Sequence, residues 1–356
     1  MTFETDTGAP AAEQPILWLG MAGFGPQQRA FLESALARSS GSPRWRPCVF
    51  GDADAWWVNG AKVRVLPDGN LKVAAGLPTE RVLRLNLSDV NRPVAFALPL
   101  ASGEFEPRCT FDPASEPGIE AVLLQFESWL RFLRAQFVLG AQIIGRGAQL
   151  RHGIYQVSHR GSLLAVLDFQ QGAAALSPRA HPADLWQAQW DKRPPGARIP
   201  PESFIRFTPA EVAWAYVHRT DRDLLPPRYR AEIIFYRDAP KVPLRWLRDS
   251  QLMLLRELAG ESGSLEGLRQ RTGLSLNQVE RDLTCLYYAN AITTTATKAA
   301  ALLPDRQDAL VNSSGPLDWL PASEAPPEGR YRSDLTAPVM LEHGRKLIRP
   351  SEDSNG

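Results

Sequence analysis

Apolar and polar positions change in short steps through the first hundred residues, which points to brief strands rather than long helices. The run PILWLG, ending at Gly20, is strand-like, and it leads into Gly20-Met21-Ala22-Gly23-Phe24-Gly25 and then Pro26. Beyond Pro26, the residues Phe31, Leu32, Ala35 and Leu36 share one stripe of a helix reaching Arg38. RPCVF and AWWVNG are further short apolar runs. KVRVLPDGNLKVAAG alternates on both sides of Pro67-Asp68-Gly69-Asn70, which predicts a hairpin with turn-forming residues at its tip. RVLRLNL and PVAFALPL add two more strands.

A Pro/Gly/Ser-rich connector, ASGEFEPRCTFDPASEPG, interrupts this pattern. After it Ile119, Val122, Leu123, Phe126, Leu130, Leu133 and Phe137 recur at three and four, predicting one long helix. GIYQVSH, SLLAVLDF and GAAALSP read as an antiparallel meander. In FTPAEVAWAYVHR, Thr208 caps a helix, Pro209 fits its first turn and Glu211 completes a capping box. AEIIFYR predicts a strand. From Leu247 onward the text is helical: SQLMLLRELAG, SLEGLRQRTG and SLNQVERDLTCLYYANAITTTA give three helices and a short β-prone end. The stretch from Ala301 is rich in proline, serine and acids and lacks a period, which predicts a flexible tail with a docking element at APVMLEHGRKLI.

The expected architecture is therefore α/β plus α+β. A lead over residues 1–14 precedes an α/β domain over 15–107, a central α+β domain over 117–245, a helical module over 246–300 and the tail over 301–356. The chain of 356 residues is long enough for each domain to bury its own core. A net charge of +1 gives no global pull toward nucleic acid or acidic membranes, so any electrostatic partner must meet a local patch. Cys48, Cys109 and Cys285 are scattered, which fits a reducing compartment and argues against a structural zinc site or a disulfide framework. The five histidines form no ligand pattern, so no metal is expected. No apolar run is long enough to span a membrane, and the acidic, polar start lacks the features of a secretory signal. A cytoplasmic location is the resulting expectation.

Gly20, Gly23 and Gly25 are the candidate cofactor-binding residues, because a glycine-rich turn between strand and helix lets backbone N–H groups approach a pyrophosphate. Their order is GxxGxG rather than GxGxxG, Asp52 comes late for a ribose-binding acid, and no Lys-Ser or Lys-Thr pair makes a P-loop. A sharp structural turn is the simpler expectation, and no cofactor is expected. Strand–helix alternation of this size resembles a bacterial receiver domain over about 15–107. The resemblance implies a degenerate receiver used for protein contacts. A working receiver carries acids after its first strand and a phosphorylatable Asp after its third, whereas here the first strand runs into GMAGFG and Asp52 and Asp54 precede AWWVNG.

The helical trio, with Gly273 relieving the tight turn, resembles a winged-helix module. Leu276, Val279, Leu283 and Leu286 make its buried stripe, leaving Asn277, Gln278 and Arg281 as the candidate DNA-binding residues. Acids balance the bases over 250–300, so protein docking or packing is expected ahead of DNA readout. The most basic stretch, 193–248, interleaves arginines with aromatics and offers Arg219, Arg222, Arg228 and Arg230 as an anion or nucleotide surface, a cyclic dinucleotide included. NLSDVN lacks the final glycine of a PilZ-type turn, and salt bridges to Asp221, Asp223, Glu232 and Asp238 are the plainer use of these arginines. No nucleophile elbow, HExxH, kinase set or Cys/His pair is present, so no catalytic residue is assigned. The leading expectation is a non-catalytic regulatory or signalling adaptor that docks protein partners. A winged-helix transcription regulator and a nucleotide or cyclic-dinucleotide effector are the alternatives.

Overall fold

The computed structural model describes residues 13–39, 44–101, 105–147, 150, 153–193 and 202–299. The expected tail lies outside the described residues, as does the expected lead up to residue 12. The described chain is mixed α/β, with a parallel sheet, antiparallel sheets and several helices.

The parallel sheet contains β1 (Ile16–Ala22), β2 (Arg44–Cys48), β3 (Ala55–Asn59), β7 (Val94–Ala97) and β8 (Thr110–Phe111), in the order β2-β1-β3-β7-β8. Counting only these parallel strands, the order is 2-1-3-4-5, as in doubly wound flavodoxin-like sheets. One helix, α1 (Pro26–Arg38), joins β1 to β2. Between β2 and β3 the chain makes only a short 3-10 turn, because the two strands flank β1 at different heights. Gly20 pairs with Cys48 at the end of β2, and Leu19 pairs with Ala55 at the start of β3. In place of a helix between β3 and β7 stands a small antiparallel sheet of β4 (Val63–Val65), β5 (Leu71–Val73) and β6 (Leu83–Leu85). The hairpin expected around Pro67 is its β4–β5 pair, with Val63 opposite Val73.

Every residue of β1 is buried, since the strand is covered on both faces. On one face Leu17, Leu19 and Met21 pack with α1 and with α2 (Glu116–Trp129). On the other, Ala22, Trp56 and Val58 pack with Val63, Leu71, Val73 and Leu85 of the small sheet. Packing thus groups α2, the first part of the expected central domain, with the parallel sheet.

The single helix expected through Phe137 is two. It breaks at Leu130, where ψ turns to 13°, and α3 (Arg131–Arg146) follows. The apolar period runs through the break because Leu130 N–H still donates to Phe126 O. Leu133 stays with the parallel-sheet core, while Phe132, Ala135 and Phe137 join the next one. The second sheet is antiparallel and holds β9 (Ile154–His159), β10 (Ser162–Asp168), β11 (Ala173–Leu176), β12 (Gln189–Arg193) and β13 (Ile205–Phe207), in the order β12-β9-β10-β11-β13. A short helix, α4 (Pro182–Trp186), precedes β12. α5 (Pro209–Val217) starts with the expected box, Thr208 Oγ1 accepting from Glu211 N at 3.1 Å and Thr208 N donating to Glu211 at 2.6 Å. It crosses α3 so closely that a Cβ on Gly140 would lie 2.4 Å from Val212 O.

The remaining elements are α6 (Arg228–Ala231), β14 (Phe235–Tyr236), α7 (Asp249–Gly260), α8 (Leu265–Thr272), α9 (Leu276–Tyr288) and β15 (Ile292–Thr293). Ser264 and Ser275 cap α8 and α9, and Gly273 sits between them at φ +68°. AEIIFYR departs from expectation: its first residue closes α6, and only Phe235 and Tyr236 form strand, paired with β15. The β-prone end after α9 therefore ladders with a distant segment rather than with itself. Leu254, Leu268, Val279 and Leu283 of the trio belong to the same hydrophobic cluster as Phe137, Leu167 and Tyr216 of the central elements.

Candidate functional site

In a sheet of this order a ligand crevice opens beyond the carboxyl ends of β1 and β3, where the strand order reverses. Gly20, Gly23 and Gly25 lead into it. Gly20 lies under the β2–β3 turn, where a Cβ would sit 3.0 Å from Phe50 Cα, Ala53 and Trp56. Gly23, at φ +77°, would press a Cβ on Ala74 O, Lys62 and Val73 at 3.2 Å. From the loop between β5 and β6, Gly76 approaches so near that a Cβ there would be 2.2 Å from Phe24 O. Gly25 alone of the three opens to free space. Asn59, buried at the end of β3, donates to Gly23 O at 2.9 Å and to Gln28 at 3.3 Å, and accepts from Ala61 N at 3.1 Å. Chain backbone and the side-chain amides of Asn59 and Gln28 thus fill the mouth between β1 and β3. Asn59 carries no acidic group that would mark it in the sequence as a receiver or ribose-binding residue. Its position at the end of AWWVN was the available signal.

The chemistry-bearing side chains gather instead at the opposite end of β1. Because β3 begins only beside Leu19, the first residues of β1 have a free side. The chain following α5 takes it, with Ile16 N donating to Arg219 O at 2.8 Å. Asp54 closes the gap: its backbone N–H donates to Trp18 O at 2.8 Å and its carboxylate accepts from Trp18 N at 2.9 Å. The other carboxylate oxygen accepts from Arg219 at 2.6 Å, with side-chain exposures of 0% and 6%. Asp221, two residues on, takes Arg46 at 3.0 and 2.7 Å and Arg44 at 3.0 Å. Glu13 accepts from Tyr216 at 2.8 Å and also from Thr220.

The second layer of this joint reaches the helical trio. His218 lies beside Trp18 and stacks on Trp214, each with ring centroids 6.4 Å away. Arg248, which precedes α7, places its guanidinium 5.7 Å from the Trp18 ring and 3.3 Å from His218 Nε2. An arginine only donates, so Nε2 accepts and the ring proton sits on Nδ1. Burial first, then Arg248, Arg219 and Arg281, hold the His218 imidazolium well below its ordinary range. On α9, Asp282 is fully buried and accepts from Gln278 at 2.8 Å, and desolvation raises its carboxyl. Burial pushes the Cys48 and Cys285 thiols up to about 12, leaving neither as a thiolate at neutral pH. Such an assembly of neutral imidazole, protonated thiols and paired charges suits holding elements in register.

The four expected anion-binding arginines do not converge as free cations. Arg219 is spent on Asp54, and it is withdrawn from that surface because a buried carboxylate must be paired. Arg230 binds Asp223 at 2.8 Å and Glu280 at 2.6 Å, while exposed Arg222 lies 3.8 Å from Glu13. Arg228 is exposed and sits over the Tyr229 ring.

Of the three residues expected to face DNA, Asn277 and Arg281 are exposed, but Gln278 turns inward to Asp282. Leu276 of the expected buried stripe is exposed, and α9 buries Asp282, Thr284 and Cys285 together with Val279, Leu283 and Leu286. Among the described residues no group of histidine, cysteine or acids is placed to hold a metal, and no helix is long and apolar enough to cross a membrane. Compared with known proteins, the chain matches no family model, and no curated protein or solved structure is significantly similar to it.

Proposed function

We propose that this chain is a non-catalytic bacterial regulatory protein that works by docking protein partners. In this reading the parallel sheet is a degenerate receiver, and the helical trio with its β14–β15 ladder is a winged-helix-like module. The single observation that carries the reading is the filled mouth of the sheet. Asn59 stands at the end of the third parallel strand, where a working receiver needs an acceptor aspartate. Gly76 and Gly23 bring backbone into the space that a phosphoryl group or dinucleotide would take. The joint built on Asp54, Arg219, His218 and Arg248 supplies a rigid route by which an event on the sheet reaches α7 and α9.

Two measurements on the full chain test this. Incubation with magnesium and radiolabelled acetyl phosphate is expected to leave the protein unlabelled. Millimolar mononucleotides, dinucleotides and cyclic dinucleotides are expected to leave its melting temperature unchanged, since a ligand preferring the folded state raises it. Stoichiometric labelling, or a rise of several degrees lost in Gly25→Gln or Arg222→Ala, refutes the reading.

A DNA-binding regulator is the second reading, favoured by the exposure of Asn277 and Arg281 near the start of α9, the part of a recognition helix that meets base edges. Its signature is salt-sensitive retention of random duplex DNA, weakened in Arg281→Ala.

A further inference from the structure

The small antiparallel sheet carries an unusual outer face. Its inner face is apolar, with Val63, Leu71, Val73 and Leu85 buried against the parallel sheet. On the outer face the central exposed residue of each strand is cationic. The register sets Arg64 directly opposite Lys72, and Lys72 directly opposite Arg84. Lys62, in the 3-10 turn that leads into the first strand, is likewise exposed, although its Cβ lies on the Gly23 side.

Like charges directly opposite one another in a sheet repel, and neighbouring strands stand only about 4.8 Å apart. Elsewhere the chain neutralises its arginines carefully, as at Arg219, Arg230, Arg269 and Arg271. Among the described residues none of Lys62, Arg64, Lys72 and Arg84 has an ion-pair partner. Of the nearest carboxylates in sequence, Glu80 is taken by Arg29 at 3.0 Å, and Asp68 accepts from Asn70 at 2.7 Å and feels Arg84 only as the least of the influences that lower its carboxyl.

We propose that this row, Arg64–Lys72–Arg84 with Lys62 beside it, is the docking face for an acidic segment of a protein partner. The proposal deepens the docking reading above by naming its surface and the chemistry of what it takes. Carboxylates on successive turns of a helix are spaced about 5–6 Å, close to the spacing of the row, so an acidic helix lying across the three strands meets one cation per turn. The outer face has no aromatic residue on which a nucleic-acid base stacks; its other exposed positions are Ala74, Val82 and Asn86. Four cations are also fewer than the six to ten phosphate contacts of a typical duplex-binding surface.

The test uses the full chain and fluorescence anisotropy. The probes are an alanine-based helical peptide with glutamate at every third or fourth position, its glutamine counterpart, a random duplex DNA and phosphatidylserine vesicles. The acidic peptide is expected to bind at low salt, at least tenfold more tightly than the glutamine peptide. The triple variant Arg64→Glu/Lys72→Glu/Arg84→Glu is expected to weaken it at least tenfold. Lys72→Glu alone keeps the experiment decisive against misfolding: it creates two attractive cross-strand pairs, so it should raise the melting temperature by about 1–3 °C while losing the peptide. The proposal is overturned by equal binding of both peptides, by no binding, by affinity unchanged in the triple variant, by preference of the same residues for DNA or vesicles, or by a lower melting temperature in Lys72→Glu. The docking reading itself survives any of these, since it falls only to phosphorylation or nucleotide binding.

Discussion

At the scale of single residues, the joint at the start of β1 depends on an ion pair removed from water. Arg219→Ala leaves Asp54 buried with only backbone to hold it, and the expected loss is about 3–5 kcal/mol in urea unfolding. Asp54→Asn combined with Arg219→Gln should cost less than the sum of the single changes, because no unpaired charge remains. His218 makes a prediction of opposite character. Its folded form resists protonation while the unfolded chain takes up a proton near pH 6.5, so its contribution to stability is complete above that value and declines as pH falls below it. The groups facing it are Arg248, Arg219 and Arg281, with Trp18 and Trp214 as walls. His218→Gln is expected to flatten the fall in melting temperature between pH 7.5 and 5.5. Asp282 acts with reversed sign, its raised carboxyl relieving a penalty as the solution turns more acidic, and at lower pH. None of these partnerships was legible in the sequence, because Asp54 and Arg219 are separated by 165 positions and carry no motif.

At the scale of elements, local signals served well where the chain's own neighbours decide. The Pro67 hairpin, the Thr208 box, the Gly273 turn and the β9–β10–β11 meander rest on contacts within a few residues, and the sequence pattern carried them. Distant packing defeated it at the break after Trp129, which keeps helical phase across Leu130 and so leaves no gap in the apolar period. It failed again at Ile233, which looks strand-like but lies between α6 and β14, while Ile234 makes only an isolated antiparallel bridge to Gly263. The glycine turn illustrates both outcomes. Its sharp turn was readable, while the sheet that closes over it was not, because Gly76 lies far from Gly23 in sequence. Gly76→Ala is expected to cost about 3 kcal/mol through overpacking on Phe24 O, and Gly25→Ala to stay within about 0.5 kcal/mol. Chemical denaturation of the two variants side by side checks the contrast. On the small sheet, Lys72→Ala removes two repulsive pairings and should stabilise by a few tenths of a kcal/mol.

For the molecule as a whole, composition indicated a chain with enough apolar residues for several cores, and the described residues form three hydrophobic clusters. Their membership follows packing rather than the breaks in the text. The trio from Asp249 shares one cluster with α3, α5 and the antiparallel sheet, since Val279 and Leu283 sit in it with Val212, Trp214 and Tyr229. A fragment covering 246–299 alone is therefore expected to lack cooperative unfolding, whereas the full chain unfolds with the trio included. Circular dichroism melts of both settle the point.

The way β1 is completed also constrains how the protein is born. Tyr216 meets Glu13 across 203 positions, and at roughly 5–20 residues per second a ribosome needs about 10–40 s to supply that partner. Until then the lower half of the first strand waits with one margin bare, a template for any extended neighbour in the cell. A holdase that shelters nascent chains should raise the yield of this protein, and slowing translation after Asp54 should lower it.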